Sequence, residues 1–317
     1  MQALLDGARA GRARDIARLI SLVENGSRDL PEVMRGLATS AGSARVIGIT
    51  GSPGVGKSTT TSAIIGRFRA DGLRVGVLAV DPSSPFSGGA LLGDRIRMQQ
   101  HATDEGVFIR SMASRGHLGG LAATTTSALR VLDAAGFDVV LIETVGVGQS
   151  EIEVAGSADT TLVMLAPGMG DGIQAAKAGI LEVGDVLAVN KADRDGADAT
   201  VRELLNMIAL GDRSAGAWVP PVIRTIASTG DGIDELMAAL DSHRAWLMKS
   251  GELDIRRIAR ARDEIDAIVV AMLRGRRLSG DGRARLEPAA ADVAAGRTDA
   301  YSAAQRIVER LDDSASR

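Results

Sequence analysis

The sequence predicts an α/β protein whose doubly wound sheet is mostly parallel. From Val46 onward, short apolar runs rich in β-branched residues alternate with longer amphipathic segments, an order typical of βαβ units. The runs are largely apolar throughout, which indicates strands buried on both faces of a sheet. The seven predicted strands are 45–50, 74–81, 107–112, 137–144, 160–166, 185–191 and 221–227. The predicted helices between them are 58–70, 118–135, 173–183 and 199–210.

Helical segments precede and follow the predicted sheet. Residues 3–37 indicate two short helices with breaks near Asn25-Gly26 and Pro31. After the last strand, residues 254–276 place apolar side chains at spacings of three and four, typical of a long helix with a narrow apolar stripe. A second helix is predicted over about 299–311, after a glycine-rich break near Gly280.

These patterns divide the chain into a helical extension (1–44), an α/β domain (45–245) and a C-terminal helical arm (246–317). The arm's apolar stripe must be covered, either by its own domain or by a second subunit, and periodicity does not choose between the two.

Composition excludes several functional classes. With 37 basic and 40 acidic residues and a net charge of -3, the chain offers no reason to expect nucleic acid or an anionic membrane as a partner. The absence of cysteine excludes disulfides, zinc–thiolate sites and cysteine nucleophiles. No apolar stretch approaches the roughly 20 residues of a membrane span, and the first residues do not resemble a secretory signal. We therefore expect a soluble cytoplasmic protein.

A glycine-rich segment lies between the first predicted strand and the following helix. It fits the pattern G-x-x-x-x-G-K-[ST], which in this context is a phosphate-binding loop. Its glycines let successive N–H groups surround a phosphate, and the helix adds the positive end of its dipole. Lys57 is expected to reach the β- and γ-phosphate oxygens, and the Ser58 hydroxyl to ligate Mg²⁺. The predicted nucleotide-binding residues here are Gly51, Ser52, Pro53, Gly54, Val55, Gly56, Lys57, Ser58 and Thr59.

The segment NKAD (190–193) follows the sixth predicted strand, at the carboxyl edge where ligands of open α/β sheets bind. A carboxylate at Asp193 can accept both the N1–H and the N2–H₂ of guanine, which adenine does not offer. Asn190 is expected to brace the loop, and the stem of Lys191 to cover the ring. After the last strand, Ala227-Ser228 is a further candidate, with the Ala227 N–H donating to guanine O6. The predicted ligands are GTP and GDP.

Acidic residues at strand ends are candidates for the metal. Glu143 ends the fourth predicted strand, beside the phosphate loop, and is expected to act on Mg²⁺ through a water. Asp81 ends the second strand and Asp94 begins the next helix, so each is either a metal or switch ligand or a helix N-cap. The predicted metal ligands are Ser58, Asp81, Asp94 and Glu143.

The group that would activate the attacking water is hard to find. Ras-like proteins place a glutamine directly after the acid-x-x-Gly element, whereas this chain has Val147 there and Gln149 two residues later. Unassisted turnover is therefore expected to be slow, with a partner or a loop movement completing the site. Conceivable charge donors are Arg95, Arg97, Arg110 and Arg115. The candidate catalytic residues are Lys57, Asp94, Glu143 and Gln149.

Taken together, five segments resemble the P-loop GTPases that chaperone adenosylcobalamin-dependent methylmalonyl-CoA mutase, the MeaB, MMAA and ArgK group. The resemblance covers nearly the whole chain, with Gly172-Ile173 as a departure where the family usually has an acidic residue and often a leucine. The segments are GSPGVGKST (51–59), VDPSSPFSGGALLGDRIRM (80–98), ETVGVGQSE (143–151), PGMGDGIQAAKAGILE (167–182) and NKAD (190–193).

The resemblance implies a low intrinsic GTPase that gates cofactor loading and protects the mutase. It implies that Lys57 and Ser58 bind phosphate and Mg²⁺, and that 168–177, on sequence alone also an ordinary strand-to-helix connection, is a third switch. It further implies a homodimer through the C-terminal helices and the cobalamin adenosyltransferase as an additional partner. Its class, which includes signal-recognition and MinD-like proteins, implies a further strand between the phosphate-loop strand and the strand that ends in the acid.

Two other classes compete with this interpretation. A nickel-insertion GTPase of related fold needs metal ligands, and a chain with no cysteine and three scattered histidines offers few. A P-loop kinase, in line with the family's older description as an arginine-transport kinase, has no need of a base-reading NKAD segment. Comparing GDP with ADP affinity separates these classes.

Overall fold

The structure is a computed structural model of the chain. It describes residues 1–38, 43–81, 101, 103–113, 121–144, 156–168, 183–211, 214, 216–278, 281–295 and 297–315. The chain forms two compact units, Met1–Glu264 and Ile265–Arg317. The helices of the described residues are α1 (Gln2–Arg9), α2 (Ala13–Glu24), α3 (Leu30–Leu37), α4 (Lys57–Ala70), α5 (Leu121–Ala134), α6 (Ala197–Leu210), α7 (Ile233–Ser250), α8 (Glu252–Leu278), α9 (Asp281–Ala294) and α10 (Ala300–Ala315).

A seven-stranded sheet forms the centre of the first unit. Its strands are β1 (Arg45–Thr50), β2 (Val75–Asp81), β3 (Val107–Ala113), β4 (Val139–Thr144), β5 (Thr160–Leu165), β6 (Val186–Asn190) and β7 (Val222–Thr225). They pair in parallel in the order β3-β2-β4-β1-β5-β6-β7. All seven predicted strands are confirmed, as are the helices predicted at 58–70 and 199–210 and the described part of the one at 118–135. The helix predicted at 173–183 lies almost wholly outside the described residues.

The expected extra strand between the phosphate-loop strand and the acid-bearing strand is not present, and that prediction was wrong. β4 pairs directly with β1, with Ile49 opposite Glu143. Neighbouring strands lie about 4.8 Å apart, so an intervening strand would double the distance between Glu143 and the phosphate loop. Direct pairing instead brings the two within reach of one hydrogen bond.

Helices cover both faces of the sheet, as a doubly wound fold requires. Alternate residues of β4 separate the two faces: Val140 and Ile142 pack beneath α1, α2, α3 and α5, whereas Val139 and Leu141 pack against α4 and α7. On β5, Val163 and Leu165 pack with α6. Because successive side chains of a strand point to opposite faces, an unbroken apolar run is what a sheet buried on both sides demands.

The amino-terminal segment contains three helices where the sequence predicted two. α1 ends before Gly11, whose φ of 76° is a left-handed conformation that glycine adopts without strain. Pro31 does not break a helix but lies in the first turn of α3, where its missing N–H costs nothing. The predicted break at Asn25-Gly26 does separate α2 from α3.

The carboxyl-terminal segment also holds one helix more than expected. α8 and α10 correspond to the two predicted helices, but α9 occupies the stretch between them, where a glycine-rich break was predicted. Pro288 lies inside α9, and a proline in a helix interior removes a hydrogen bond, which is why the pattern there did not indicate a helix. Within the described ranges, no helix is both long and apolar enough to cross a bilayer.

Aspartates fix the register at the amino edge of the sheet, the edge opposite the phosphate loop. Each carboxylate lies at or just before the start of one strand and accepts the main-chain N–H of a residue at the start of the neighbouring strand. The three pairs are Asp138 with Arg74 N (2.7 Å), Asp159 with Val46 N (3.1 Å) and Asp185 with Thr161 N (2.8 Å). These bonds tie the start of β2 to that of β4, and the start of β5 to those of its two neighbours, β1 and β6.

Candidate nucleotide-binding site

The phosphate loop connects β1 to α4 and depends on glycine at two positions. Gly51 has a φ of 137° and Gly56 a φ of 100°, both in the left-handed region. A Cβ on Gly51 would lie 2.2 Å from the carbonyl oxygen of Met164, and one on Gly56 would lie 2.3 Å from Asn190 Nδ2. The two glycines are therefore required for the loop to lie this close to β5 and to the end of β6.

Lys57 begins α4 with its ammonium turned back over the loop. Its Nζ donates to the carbonyl oxygens of Gly51 (2.6 Å) and Ser52 (3.2 Å), and the residue is only 7% exposed. No side chain caps the amino terminus of α4, where Gly56 is the N-cap. The first N–H groups of a helix carry the positive end of its dipole, so this terminus together with Lys57 forms a site for an anion.

Ser58 and Glu143 meet beside the loop. The Ser58 hydroxyl donates to Glu143 Oε1 at 2.7 Å, and Glu143 is 2% exposed. Hydroxyl and carboxylate oxygens are the ligand types that Mg²⁺ uses, so these residues fit the metal. No group of three or more His, Cys, Asp or Glu side chains forms a metal-ligand cluster within the described part of the chain. The other predicted ligands cannot be placed: Asp81 ends β2 but its side chain is outside the described residues, as are the whole of Asp94 and Gln149.

Asn190 joins three parts of the site through one buried amide. Its Nδ2 donates to the carbonyl oxygen of Val55 in the phosphate loop at 2.8 Å. Its Oδ1 accepts the Thr225 hydroxyl (3.2 Å) and the Ala227 N–H (3.0 Å). The side chain, on a residue 3% exposed, therefore fixes the phosphate loop to the ends of β6 and β7.

Lys191 lies next to this bridge in a left-handed conformation. Its φ is 58°, the only positive φ of a non-glycine among the described residues. Its Nζ donates to the carbonyl oxygen of Gly54 at 2.7 Å, so the side chain extends from the end of β6 across to the phosphate loop. The aliphatic stem lies along that path, and Asp193 follows in an exposed turn.

The elements after β7 differ from the expected arrangement. The Ala227 N–H, the candidate donor to guanine O6, donates to Asn190 Oδ1. To reach a base, this N–H would have to share its hydrogen bond between the two acceptors, or Ala227 would have to shift slightly. Ser228 and Thr59 are exposed. Thr225 was not identified from the sequence as a site residue. Thr225 and Asn190 are the last residues of β7 and β6 and lie opposite each other in the sheet, so the alignment of the two strands is the signal that points to Thr225.

One candidate charge donor lies elsewhere. Arg110, on β3, donates to Ser21 at 2.9 Å and to the Glu24 carboxylate, both on α2, and so belongs to the contact between the amino-terminal helices and the sheet. The other candidates, Arg95, Arg97 and Arg115, lie outside the described residues, as do 169–177 of the predicted third switch.

The parallel sheet order, the phosphate loop between β1 and α4, and the paired Ser58 and Glu143 define a P-loop nucleotide-binding protein. A family model described as "Methylmalonyl Co-A mutase-associated GTPase MeaB" matches residues 16–281. The chain belongs to this family of P-loop GTPases.

Three known proteins show how far the similarity extends. A relative from Pyrococcus abyssi that carries a GTPase name is 46% identical over 311 residues, which are 97% of this chain and 96% of the relative. The mouse protein named methylmalonic aciduria type A homolog, mitochondrial, is 40% identical over 214 residues, 67% of this chain and 52% of that protein. A solved structure described as a LAO/AO transport system kinase has a TM-score of 0.71 and 25% identity, covering 98% of this chain and 97% of that chain.

Proposed function

We propose that the chain binds GTP and GDP with Mg²⁺ and hydrolyses GTP to GDP and phosphate. The observation that carries the proposal is the Asn190 bridge, because it holds the strand end bearing Lys191 and Asp193 at a fixed distance from the phosphate loop. A site of this geometry can grip a triphosphate at one end and offer the Asp193 carboxylate to a purine at the other. Guanine presents two donors to that carboxylate, and adenine presents none in the same arrangement.

The residues of the loop divide the work of phosphoryl transfer. Lys57 would exchange its two main-chain acceptors for β- and γ-phosphate oxygens, and the amino terminus of α4 would add its dipole. Ser58 would ligate Mg²⁺ directly and Glu143 through a water. The bound Mg²⁺ supplies charge neutralisation at the β- and γ-phosphates.

Hydrolysis by the isolated protein is expected to be slow. The Ras glutamine position is Val147 in this chain, and Arg110 is engaged by α2. Turnover should therefore be near the intrinsic Ras rate of about 10⁻⁴ to 10⁻³ s⁻¹ until a partner completes the site. Phosphate release measured with Mg·GTP alone tests this, and a rate far above that range would contradict the dependence on a partner.

The proposed partner is an adenosylcobalamin-dependent methylmalonyl-CoA mutase or a related acyl-CoA mutase, with the chain gating cofactor loading and protecting the mutase. Support comes from the family description and from the name of the mouse relative. We further propose a cytoplasmic homodimer that associates through its C-terminal helices and also meets the cobalamin adenosyltransferase. The test is GTP turnover with and without purified mutase, together with co-purification in a non-hydrolysable GTP analogue. Unchanged turnover and no co-purification would contradict the mutase assignment.

A kinase remains the second candidate, because the similar solved structure is described as a transport system kinase. A kinase transfers the phosphoryl group to an acceptor other than water and does not need the base-reading segment. Radiolabelled phosphate appearing in an acceptor, together with equal GDP and ADP affinity, would favour it. The nickel-insertion alternative has less support, since the sequence lacks cysteine and the described residues hold no metal-ligand cluster.

A further inference from the structure

Helix α8 presents three arginines to the amino edge of the sheet, and we name them the α8 arginine triad: Arg256, Arg257 and Arg260. Most of their acceptors lie just before β5 and β6, and Arg257 also donates to the carbonyl oxygen of Ala44, just before β1, at 3.0 Å. All of these residues belong to the first compact unit. The triad is far in sequence from its partners, so it is a tertiary contact and not part of any local motif.

The contact to the residue before β6 is a bidentate ion pair. Arg256 donates through Nη1 to Asp185 Oδ2 and through Nη2 to Asp185 Oδ1, each at 2.9 Å, and also to the carbonyl oxygen of Asp159 at 3.0 Å. Asp185 accepts the Thr161 N–H as well, so one carboxylate ties α8, β5 and β6 together. A planar guanidinium forms two hydrogen bonds with a carboxylate in only a narrow range of geometries, so a small displacement of Asp185 relative to Arg256 weakens the pair.

The contact to β5 uses two guanidinium groups on one carboxylate. Asp159, whose side chain is 5% exposed, accepts Arg257 Nη2 at 3.0 Å and Arg260 Nη2 at 3.3 Å. Arg260 also donates to the carbonyl oxygen of Ser157 at 2.8 Å. Replacing buried ion pairs by apolar residues is often neutral or stabilising, so such pairs are weak support for a role in stability alone. A role in fixing position accounts for them better.

The far ends of the same two strands form the nucleotide site. β5 ends beside the phosphate loop, where the carbonyl of Met164 leaves no room for a side chain on Gly51. β6 ends at Asn190, the residue that bridges phosphate loop and base-reading segment. Every residue of β5 and β6 is buried, so each strand is a stiff connection of five or six residues between the two edges of the sheet.

We propose that the α8 arginine triad is a set of positioning residues that couples helix α8 to the nucleotide state of the site through β5 and β6. The inference depends on the proposed function, since it requires that the site hold GDP and GTP in distinguishable states. A shift of β6 by a fraction of an ångström changes the fit of the Arg256 fork on Asp185, and α8 follows. Because coupling is reciprocal, weakening the fork must change the relative affinity for the two nucleotides.

The chain carries its own reporter for this junction. It has two tryptophans, and both lie here: the Trp218 indole N–H donates to the carbonyl oxygen of Asp185 at 2.7 Å, and the Trp246 ring lies 5.9 Å from the Trp218 ring. Tryptophan emission therefore responds to changes in the surroundings of Asp185. We expect the emission of the wild-type protein to differ between saturating GDP and a saturating non-hydrolysable GTP analogue.

The decisive variant is Arg256→Lys, which keeps the positive charge and loses the planar fork. It should abolish the emission difference and change the ratio of GTP-analogue to GDP affinity, measured by calorimetry, by about fivefold or more. Asp185→Asn is the second variant should Arg256→Lys fail to fold. The matched control is Arg262→Lys on the same helix, because the Arg262 side chain is 78% exposed and pairs only with its neighbour Asp263 among the described contacts.

Each outcome separates this inference from the proposed function. A calorimetric result showing no binding of either guanine nucleotide overturns both. Binding of both nucleotides with identical emission, or a lowered stability of Arg256→Lys with an unchanged affinity ratio, overturns the coupling and leaves the proposed function standing. An emission difference that is lost in Arg256→Lys and kept in Arg262→Lys supports the coupling.

Discussion

Replacing Asn190 by alanine should destabilise the first unit by more than a typical substitution. The change removes the bond to Val55 O and the two bonds accepted from Thr225 and Ala227. Each hydrogen bond contributes about 1 kcal/mol net, and each buried polar group left without a partner costs about 1–3 kcal/mol. The substitution leaves the Val55 carbonyl and the Ala227 N–H buried without these hydrogen-bond partners. We therefore expect the free energy of unfolding to fall by about 3–5 kcal/mol, against about 1 kcal/mol for most substitutions.

Urea unfolding followed by tryptophan emission measures this change. Both tryptophans belong to the unit Met1–Glu264, so the signal reports the unit that contains Asn190. The matched control is Thr225→Val, which removes only the hydroxyl bond to Asn190 Oδ1 and should cost about 1 kcal/mol. A midpoint for Asn190→Ala that matches Thr225→Val, with the same dependence on urea, would refute the idea that one amide joins the three segments.

Three further predictions concern the site and the amino edge. Gly56→Ala places a Cβ 2.3 Å from Asn190 Nδ2 at a φ of 100°, so GDP affinity by calorimetry should fall at least about tenfold. Glu143→Gln keeps the shape and removes the charge, so Mg²⁺-dependent phosphate release should fall about 10- to 100-fold while GDP binding persists. Burial lowers the pKa of His243 from 6.5 to about 4, against the opposing attraction of Asp185. Between pH 6.5 and pH 4 the unfolded chain binds a proton on this histidine that the folded chain does not bind. The free energy of unfolding is therefore highest above pH 6.5 and decreases by up to about 3 kcal/mol as the pH falls towards 4. Urea unfolding of His243→Gln across that range should show a flatter profile.

The contrary results are equally specific. Wild-type affinity in Gly56→Ala would mean that the loop holds another conformation when a nucleotide binds. Full phosphate release in Glu143→Gln would remove that carboxylate from the metal site. Parallel pH profiles for the wild type and His243→Gln would mean that the histidine is not the group that titrates.

The sheet could be predicted from sequence because its strands are buried on both faces. Seven apolar runs bounded by turn residues are a strong signal, and each strand was found to within two residues at either end. The phosphate loop and the base-reading segment were found for a related reason. Their residue types are dictated by local backbone geometry and ligand chemistry, as the close approaches at Gly51 and Gly56 illustrate.

Features that depend on distant parts of the chain could not be predicted. The pairing of β1 with β4 is a choice among sheet orders that no single segment encodes, and the inferred extra strand was wrong. α9 was missed because Pro288 hides its helical character. The contacts of Arg256 with Asp185 join residues that are 71 apart in sequence, and no local pattern in either segment predicts the pairing.

Guanine recognition is tested most directly by a calorimetric comparison of GDP and ADP binding, made on the wild type and on Asp193→Asn. The wild type should bind GDP at least about 100-fold more tightly than ADP, because a site built around a hydrogen-bonding pair rejects a ligand that lacks it. Asp193→Asn should lose most of that preference while keeping the phosphate loop intact. Equal affinities for GDP and ADP in the wild type would contradict the assignment of this site to guanine nucleotides.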